Sequence, residues 1–508
     1  MVRPRSGPAV AAALAAVLLG TTVPASASAA PAAAAAGGPG DAVFPALGNA
    51  GYDALAYDLD LRYRPDDRTA DGTSVMTARA LTPLPQLELD ALGLAVHAVR
   101  VDGRPAGFRT HDEKLAVVPA ATVRQDAVLR VEVDYTADPR AVLPHTGWVP
   151  TPDGFAVAGQ PDGAHTVFPC NDHPGDKARF SVAVTAPDGL YGVANGRLTA
   201  TDHPRSGLTT RRYVSREPMA TELVQVSVGD YTVRERTGPG GLPLRDVVPT
   251  ARAAALEPAL ALTPGQLEWA ERHLGAYPFE TYGLLPANTD DPAAFAFTGL
   301  ETQTLTLYKP GFLLQEERLI GSHMMHELVH SWFGNSVSPH RWSDLWLNEG
   351  HADLYGLMYR YERGWPDAGG FSTLADRMRD VYAKGDQWRR DSGPVAAPTA
   401  ADLFDSQRYT GGALVLFALR ERVGADAFDR IERSFLQDHR NGSATTADYL
   451  RTASDVSGQD LTAFLTDWLY GTRTPPMPGH PDWTVDPADR TDPGPRRLAA
   501  APQGSGTL

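Results

Sequence analysis

His326 and His330 stand four residues apart with Glu327 beside the first, and Glu349 follows nineteen residues after His330. On a helix a four-residue step returns to the same face, so both imidazoles can reach one tetrahedral ion. Glu327, about 100° further round, addresses the open coordination position. Two neutral imidazoles and one carboxylate suit zinc. Zinc lowers the pKa of a bound water to about 7, which leaves a neighbouring carboxylate only a modest proton to take up and later return to a leaving amine. The pattern therefore divides into three metal ligands, His326, His330 and Glu349, and one general base, Glu327. The bare His-Glu-x-x-His spacing is a moderate signal, and the downstream acid makes it a strong one. His323 and His351 fall outside the pattern and read as rim or structural histidines.

Two helices must carry these groups, and the stretch Trp346 to Asp353, with Leu345, Leu347 and Leu357 around it, allows the second to lie against the first. The runs H-E-L-V-H-S-W-F-G-N from His326 to Asn335 and W-S-D-L-W-L-N-E-G from Trp342 to Gly350 resemble the zinc aminopeptidases of the aminopeptidase N family, gluzincins that also include leukotriene hydrolase. The resemblance implies one zinc per chain on His326, His330 and Glu349, with Glu327 activating water against a peptide carbonyl. Thr298-Gly299-Leu300-Glu301-Thr302 is similar to the family's G-x-M-E-N, with its leading glycine displaced and Thr302 in place of Asn, and this similarity makes Glu301 the anchor of the substrate's free amino terminus. Phe168-Pro169-Cys170-Asn171-Asp172-His173-Pro174 with Lys177-Ala178 resembles the F-P-C-x-D-x-P…K-A signature of the family's amino-terminal domain. Gln160, ten residues before Cys170, matches the position from which that domain lends a second polar group to the amine. Tyr409 opens Y-T-G-G-A, similar to the family's Y-x-K-G-A with Gly411 in place of lysine; the resemblance makes its phenol the donor to the tetrahedral oxyanion, an interaction that exists only in the transition state. Asp353, one turn after Glu349, is placed to accept a hydrogen bond from a zinc histidine.

The remaining sequence supplies the frame. Arg3 and Arg5 precede an apolar run from Ala9 to Gly20, and Ala25-Ser26-Ala27-Ser28-Ala29 offers small-residue cleavage sites, so residues 1–29 read as a secretory signal peptide. Residues 30–42 read as a disordered linker. Alternation in Tyr57, Leu59, Leu61 and Tyr63, in Leu129, Val131, Val133 and Tyr135, and in Phe180, Val182 and Val184 predicts an all-β domain of sandwich or saddle form over 43–236. Thr237-Gly238-Pro239-Gly240-Gly241 breaks that pattern. Helical periodicity follows, with Leu461, Phe464, Leu465 and Trp468 a late example, so 237–474 reads as a mainly α, thermolysin-like catalytic domain. Residues 475–508 form a polar Pro/Gly tail expected to be disordered. The longer family members carry a further helical domain for which the sequence after Thr474 has no room.

Net charge −15 becomes −17 once Arg3 and Arg5 are removed (−15 − 2), which argues against nucleic acid or an anionic membrane as partner. Cys170 is the sole cysteine, so there is no disulfide within the chain and stability must come from a large core. No lipidation or sorting signal follows the leader. The expectation is a secreted, extracellular, monomeric zinc aminopeptidase acting on peptides with a free amino terminus. The alternatives are an epoxide hydrolase like leukotriene hydrolase, which also has glutamine at the position of Gln160, and a non-catalytic peptide-binding protein, which the intact catalytic set disfavours.

Overall fold

The computed structural model describes residues 40–289, 291–294 and 297–486, so the signal-peptide reading and the tail beyond residue 486 lie outside the described residues. The first half is built on an eight-stranded sheet. Its centre pairs Tyr52–Arg64 antiparallel with Thr69–Ala80 and parallel with Arg179–Pro187, while Thr69–Ala80 continues antiparallel to Val128–Ala137. The alternation explains the burial: Tyr57, Leu59, Leu61 and Tyr63 point into the core, as do Leu129, Val131, Val133 and Tyr135, while the residues between them face outward. A four-stranded sheet containing Trp148–Pro150 and Phe155–Val157, and a three-stranded sheet of Leu87–Asp90, Gly107–His111 and Lys114–Val118, share the same hydrophobic cluster. Cys170 is buried there, and burial together with the carboxylates of Asp172 and Asp90 pushes its thiol well above the ordinary range.

The second half opens with the helices Ala253–Leu260 and Thr263–Leu274, passes through a small sheet of Leu284–Pro286, Gly299–Leu300 and Thr306–Tyr308, and continues as helices. Three helices matter for the site. The histidine helix Glu317–Val329 buries Ile320, Met324 and Leu328, spaced four apart on one stripe. The glutamate helix Trp346–Glu362 runs against it. The third, Thr410–Val423, buries every residue from Thr410 to Leu419, which is why its sequence is apolar all round: it is the central helix of this half.

Three boundaries differ from the sequence reading. The glycine-rich break at 238–241 is a hairpin turn, with Gly240 and Gly241 at positive φ, and the strands Tyr231–Thr237 and Pro243–Pro249 pair across it. Strand structure therefore runs to Pro249; composition marks a turn without distinguishing a hairpin from a linker. The packed chain starts before Val43, because the buried Asp41 accepts from the backbone N–H of Trp342 at 2.7 Å. At the other end Met477 and Trp483 are buried, Trp483 stacks on Phe417 at 6.0 Å between ring centroids, and Asp486 donates its N–H to the Ala383 carbonyl. Residues 475–486 thus pack on the central helix; two large apolar side chains among polar ones were enough to dock them.

Candidate active site

His326 lies in the last turn of the histidine helix and His330 immediately follows it, still in helical conformation, so their rings share a face with centroids 4.8 Å apart. Glu349 sits in the first turn of the glutamate helix. The Nε2 atoms of His326 and His330 are 3.2 Å apart, and Glu349 Oε2 is 3.3 Å from the first and 3.4 Å from the second. Ligand atoms about 2.0–2.1 Å from a tetrahedral zinc are separated by about 3.3 Å, so the triangle has the dimensions of a zinc site. Both outward nitrogens are occupied: His326 Nδ1 faces Asp353 Oδ1 at 3.1 Å, and His330 Nδ1 faces the Phe333 carbonyl at 3.1 Å, the arrangement that fixes a ligand tautomer with Nε2 turned inward. Asp353 is itself held by the Thr410 hydroxyl, which donates to its Oδ2 at 2.7 Å.

The electrostatics call for a cation. Burial works against charge on His330, yet the carboxylates of Glu301 and Glu349 raise its pKa to about 9; burial works against Glu349 too, yet His330 and His326 hold its carboxyl down at about 2. Glu349 Oε2 is buried without a hydrogen bond. A divalent ion at the centre of the triangle supplies the positive charge that this donor set is arranged around. Two nitrogens and one oxygen fit zinc.

Glu327 is 4 % exposed, and burial pushes its carboxyl up to about 8. Its Oε1 lies 3.2 Å from His323 Nε2, and its Oε2 has no partner. His323, outside the sequence pattern, lies against the pocket with its ring stacked 5.7 Å from that of His326. His351 is fully buried and structural: its Nδ1 faces the Leu347 carbonyl at 2.6 Å, its Nε2 faces Glu432 at 2.8 Å, and its ring stacks on Phe333.

Glu301 follows the edge strand Gly299–Leu300 and is buried; Gln160, from the β half, donates Nε2–H to its Oε1 at 2.7 Å. Two residues 141 positions apart thus meet at one end of the cleft. Tyr409 caps the amino end of the central helix, with its ring stacked 5.9 Å from His326. Burial raises its phenol well above the ordinary range, as do the carboxylates of Glu349, Glu301 and Glu327, so it stays protonated and able to donate. The metal triangle, Glu327, Glu301, Gln160 and Tyr409 line one cavity of about 460 Å³, whose apolar lining is Pro161, Phe297, Leu300, Phe312 and Phe404.

One participant was not legible in the sequence. A Cβ at Gly299 would come within 2.6 Å of Glu327 Oε1 and 2.8 Å of its carboxyl carbon, so a bare backbone there makes room for the carboxylate. The displaced glycine two residues before Glu301 was the visible trace of it.

Comparison with known proteins agrees with this geometry. Residues 53–223 match the model of the peptidase M1 N-terminal domain, and residues 259–468 match that of the peptidase family M1 domain. Aminopeptidase A of Gloydius brevicauda is 26% identical over 324 residues, 61% of this chain and 33% of that protein. Probable aminopeptidase 1 of Saccharolobus solfataricus is 24% identical over 414 residues, 78% of this chain and 50% of that protein. The matched region thus spans a third to a half of the length of these relatives. The crystal structure of an M1 zinc metallopeptidase mutant from Deinococcus radiodurans, bound to a Tyr-Ser-Ala substrate, superposes with a TM-score of 0.74 at 30% identity and covers 86% of this chain and 99% of its own. With both family models matched in order over most of its length, and an M1 structure aligned almost end to end, the chain belongs to peptidase family M1.

Proposed function

We propose that the protein is a zinc aminopeptidase that removes the first residue from peptides with a free amino terminus. The observation that carries this reading is the meeting of the Gln160–Glu301 pair with the His326, His330 and Glu349 triangle inside one cavity. The three triangle residues would hold one zinc, which supplies Lewis acidity toward the scissile carbonyl and toward water. Glu327 takes the proton of the attacking water and returns it to the leaving amine, from a carboxylate that lines the same cavity as the three ligands. The Tyr409 phenol donates to the developing oxyanion. Glu301 binds the substrate ammonium by a charge-assisted hydrogen bond, with the amide of Gln160 orienting its carboxylate.

Asp353, through His326 Nδ1, orients a ligand without touching the substrate. The apolar part of the lining favours substrates that begin with an apolar or aromatic residue. No Lys or Arg lines the cavity among the described residues, so an acidic first residue finds no cationic partner. Glutamyl aminopeptidase of Mus musculus, 25% identical over the matched region, bears the other preference in its name.

The deciding assay compares kcat/KM for paired peptides with free and acetylated amino termini, with and without a chelator. Cleavage of the free peptide alone, abolished by the chelator, is the expected result. Equal cleavage of both makes the enzyme an endopeptidase, and hydrolysis of an epoxide without cleavage of either favours the lipid hydrolase. Export is part of the proposal, supported by Arg3, Arg5 and the apolar run Ala9 to Gly20; amino-terminal sequencing of protein from culture medium should begin shortly after Ala29.

A further inference from the structure

Glu113, His145 and His165 place their ligand atoms within 4.8 Å of one another on the β half, away from the catalytic cavity's lining. Glu113 lies in the turn between the strands Gly107–His111 and Lys114–Val118, His145 in the segment before Trp148–Pro150, and His165 in the single turn of 3-10 helix Ala164–Thr166. His145 Nε2 is 3.7 Å from Glu113 Oε1, and His165 Nε2 is 3.8 Å from Glu113 Oε2. Both Nε2 atoms are buried and make no hydrogen bond, and the His165 side chain is wholly inaccessible.

The outward nitrogen of His165 repeats what those of the catalytic histidines do. His165 Nδ1 lies 2.7 Å from Asp172 Oδ2, and His145 Nδ1 faces Asp162 Oδ2 at 3.7 Å. The Asp172 contact holds the His165 tautomer whose Nε2 lone pair points at Glu113, while Asp162 stands behind the His145 ring beyond hydrogen-bond distance. The backbones are tied as well: the Glu113 and His165 carbonyls accept from the consecutive N–H groups of Ala91 and Leu92, and the His165 N–H donates to Asp172. Gly147 and Gly163 bring the other two segments into contact so close that a Cβ on Gly147 would meet the Gly163 carbonyl oxygen at 2.4 Å. Two imidazoles and one carboxylate, preorganised and open to solvent on the Glu113 side, are the donor set that zinc selects.

We propose that Glu113, His145 and His165 form a second, structural zinc site in the β half. His165 lies five residues after Gln160 and Asp162 two after it, so the ion would anchor the carboxy-terminal side of the loop whose Gln160 and Pro161 line the catalytic cavity. Imidazolium rings paired with the same carboxylates, without metal, are the competing arrangement.

Metal counting on the full-length protein separates the two. After stripping and reloading with excess Zn2+ and removal of loose ion, wild type should hold two equivalents, His145→Ala one, His326→Ala one and the double variant none. Co2+ in the His326→Ala protein should give the visible absorption of a four-coordinate site, lost on adding His145→Ala, and Zn2+ should raise the Tm of the first protein and not of the second. The drop caused by His145→Ala is read independently of the catalytic site: if His326→Ala does not fold, two equivalents in wild type against one in His145→Ala sustain the proposal. Equal zinc content in wild type and His145→Ala overturns it, whatever the catalytic triangle binds.

Discussion

At the residue scale, ligands and base are separable because they depend on the metal differently. His326→Ala or Glu349→Ala should lose both zinc and activity, whereas Glu327→Gln should keep zinc and hydrolyse almost nothing, since the proposed base would act on water and does not belong to the 3.2–3.4 Å triangle. Metal analysis beside initial rates checks it, and near-native turnover by Glu327→Gln would sink the assignment. Tyr409→Phe should cost about 3 kcal/mol of transition-state stabilisation, roughly a hundredfold in kcat, at nearly constant KM, because the oxyanion is absent from the ground state. A change in KM alone makes Tyr409 a pocket residue. The shared face of His326 and His330 was legible in the sequence because helical spacing is local: the two must share a face wherever the helix lies. Gly299 was not, because its role exists only once an edge strand meets the histidine helix. Gly299→Ala should therefore leave Tm nearly unchanged, displace the Glu327 carboxylate and lower kcat; steady-state kinetics beside a thermal melt tests this.

At the scale of elements, bare backbone sets the distances between the helices that carry the chemistry. A Cβ on Gly350, one residue after Glu349, would come within 2.9 Å of the Gly412 backbone, three residues after Tyr409; a Cβ on Gly356 would lie 3.0 Å from the Ser322 carbonyl oxygen and 3.5 Å from His326 Cβ. The glutamate helix is thus pressed against the central helix on one side and the histidine helix on the other, and the Thr410 to Asp353 hydrogen bond bridges the first contact. Backbone cannot step aside as a side chain can. Gly412→Ala must part the two helices, so it should cost about 1–3 kcal/mol of stability as overpacking and lower kcat by moving Tyr409 away from Glu349, with zinc content kept. A melt, a metal assay and a kcat measurement are needed together, and a native kcat would show that the contact does not position the tyrosine. The sequence marked the start of each helix but not this interlock, since a glycine in a helix reads as a weak position until its neighbour is known.

At the scale of the molecule, the two halves meet through groups whose sequence positions say nothing about each other. The alternating strands and the periodic helices made the class of each half readable, because both patterns are short-range. The junction is long-range. Lys177, from the F-P-C-x-D-x-P…K-A stretch of the β half, donates through Nζ to the carbonyls of Asn335 at 2.7 Å, Ser336 at 2.9 Å and Gly442 at 3.3 Å, all in the helical half. Asn335 in turn donates through Nδ2 to the Glu301 carbonyl at 2.7 Å. One lysine side chain therefore ties two loops of the helical half to the β half and, through Asn335, steadies Glu301, the residue proposed to bind the substrate amine. Its removal leaves three carbonyls short of a donor, each a loss of about 1 kcal/mol or more when buried. Lys177→Met should lower Tm, and its kinetic signature should fall on amine recognition: KM for free-amine peptides rises more than kcat falls, and the preference for free over acetylated peptides narrows. Glu301→Ala should narrow the same preference by losing the good substrate outright. If Lys177→Met lowers Tm but leaves the free-to-acetylated ratio untouched, the latch joins the halves without reaching the site, and Glu301 is held by its own strand alone.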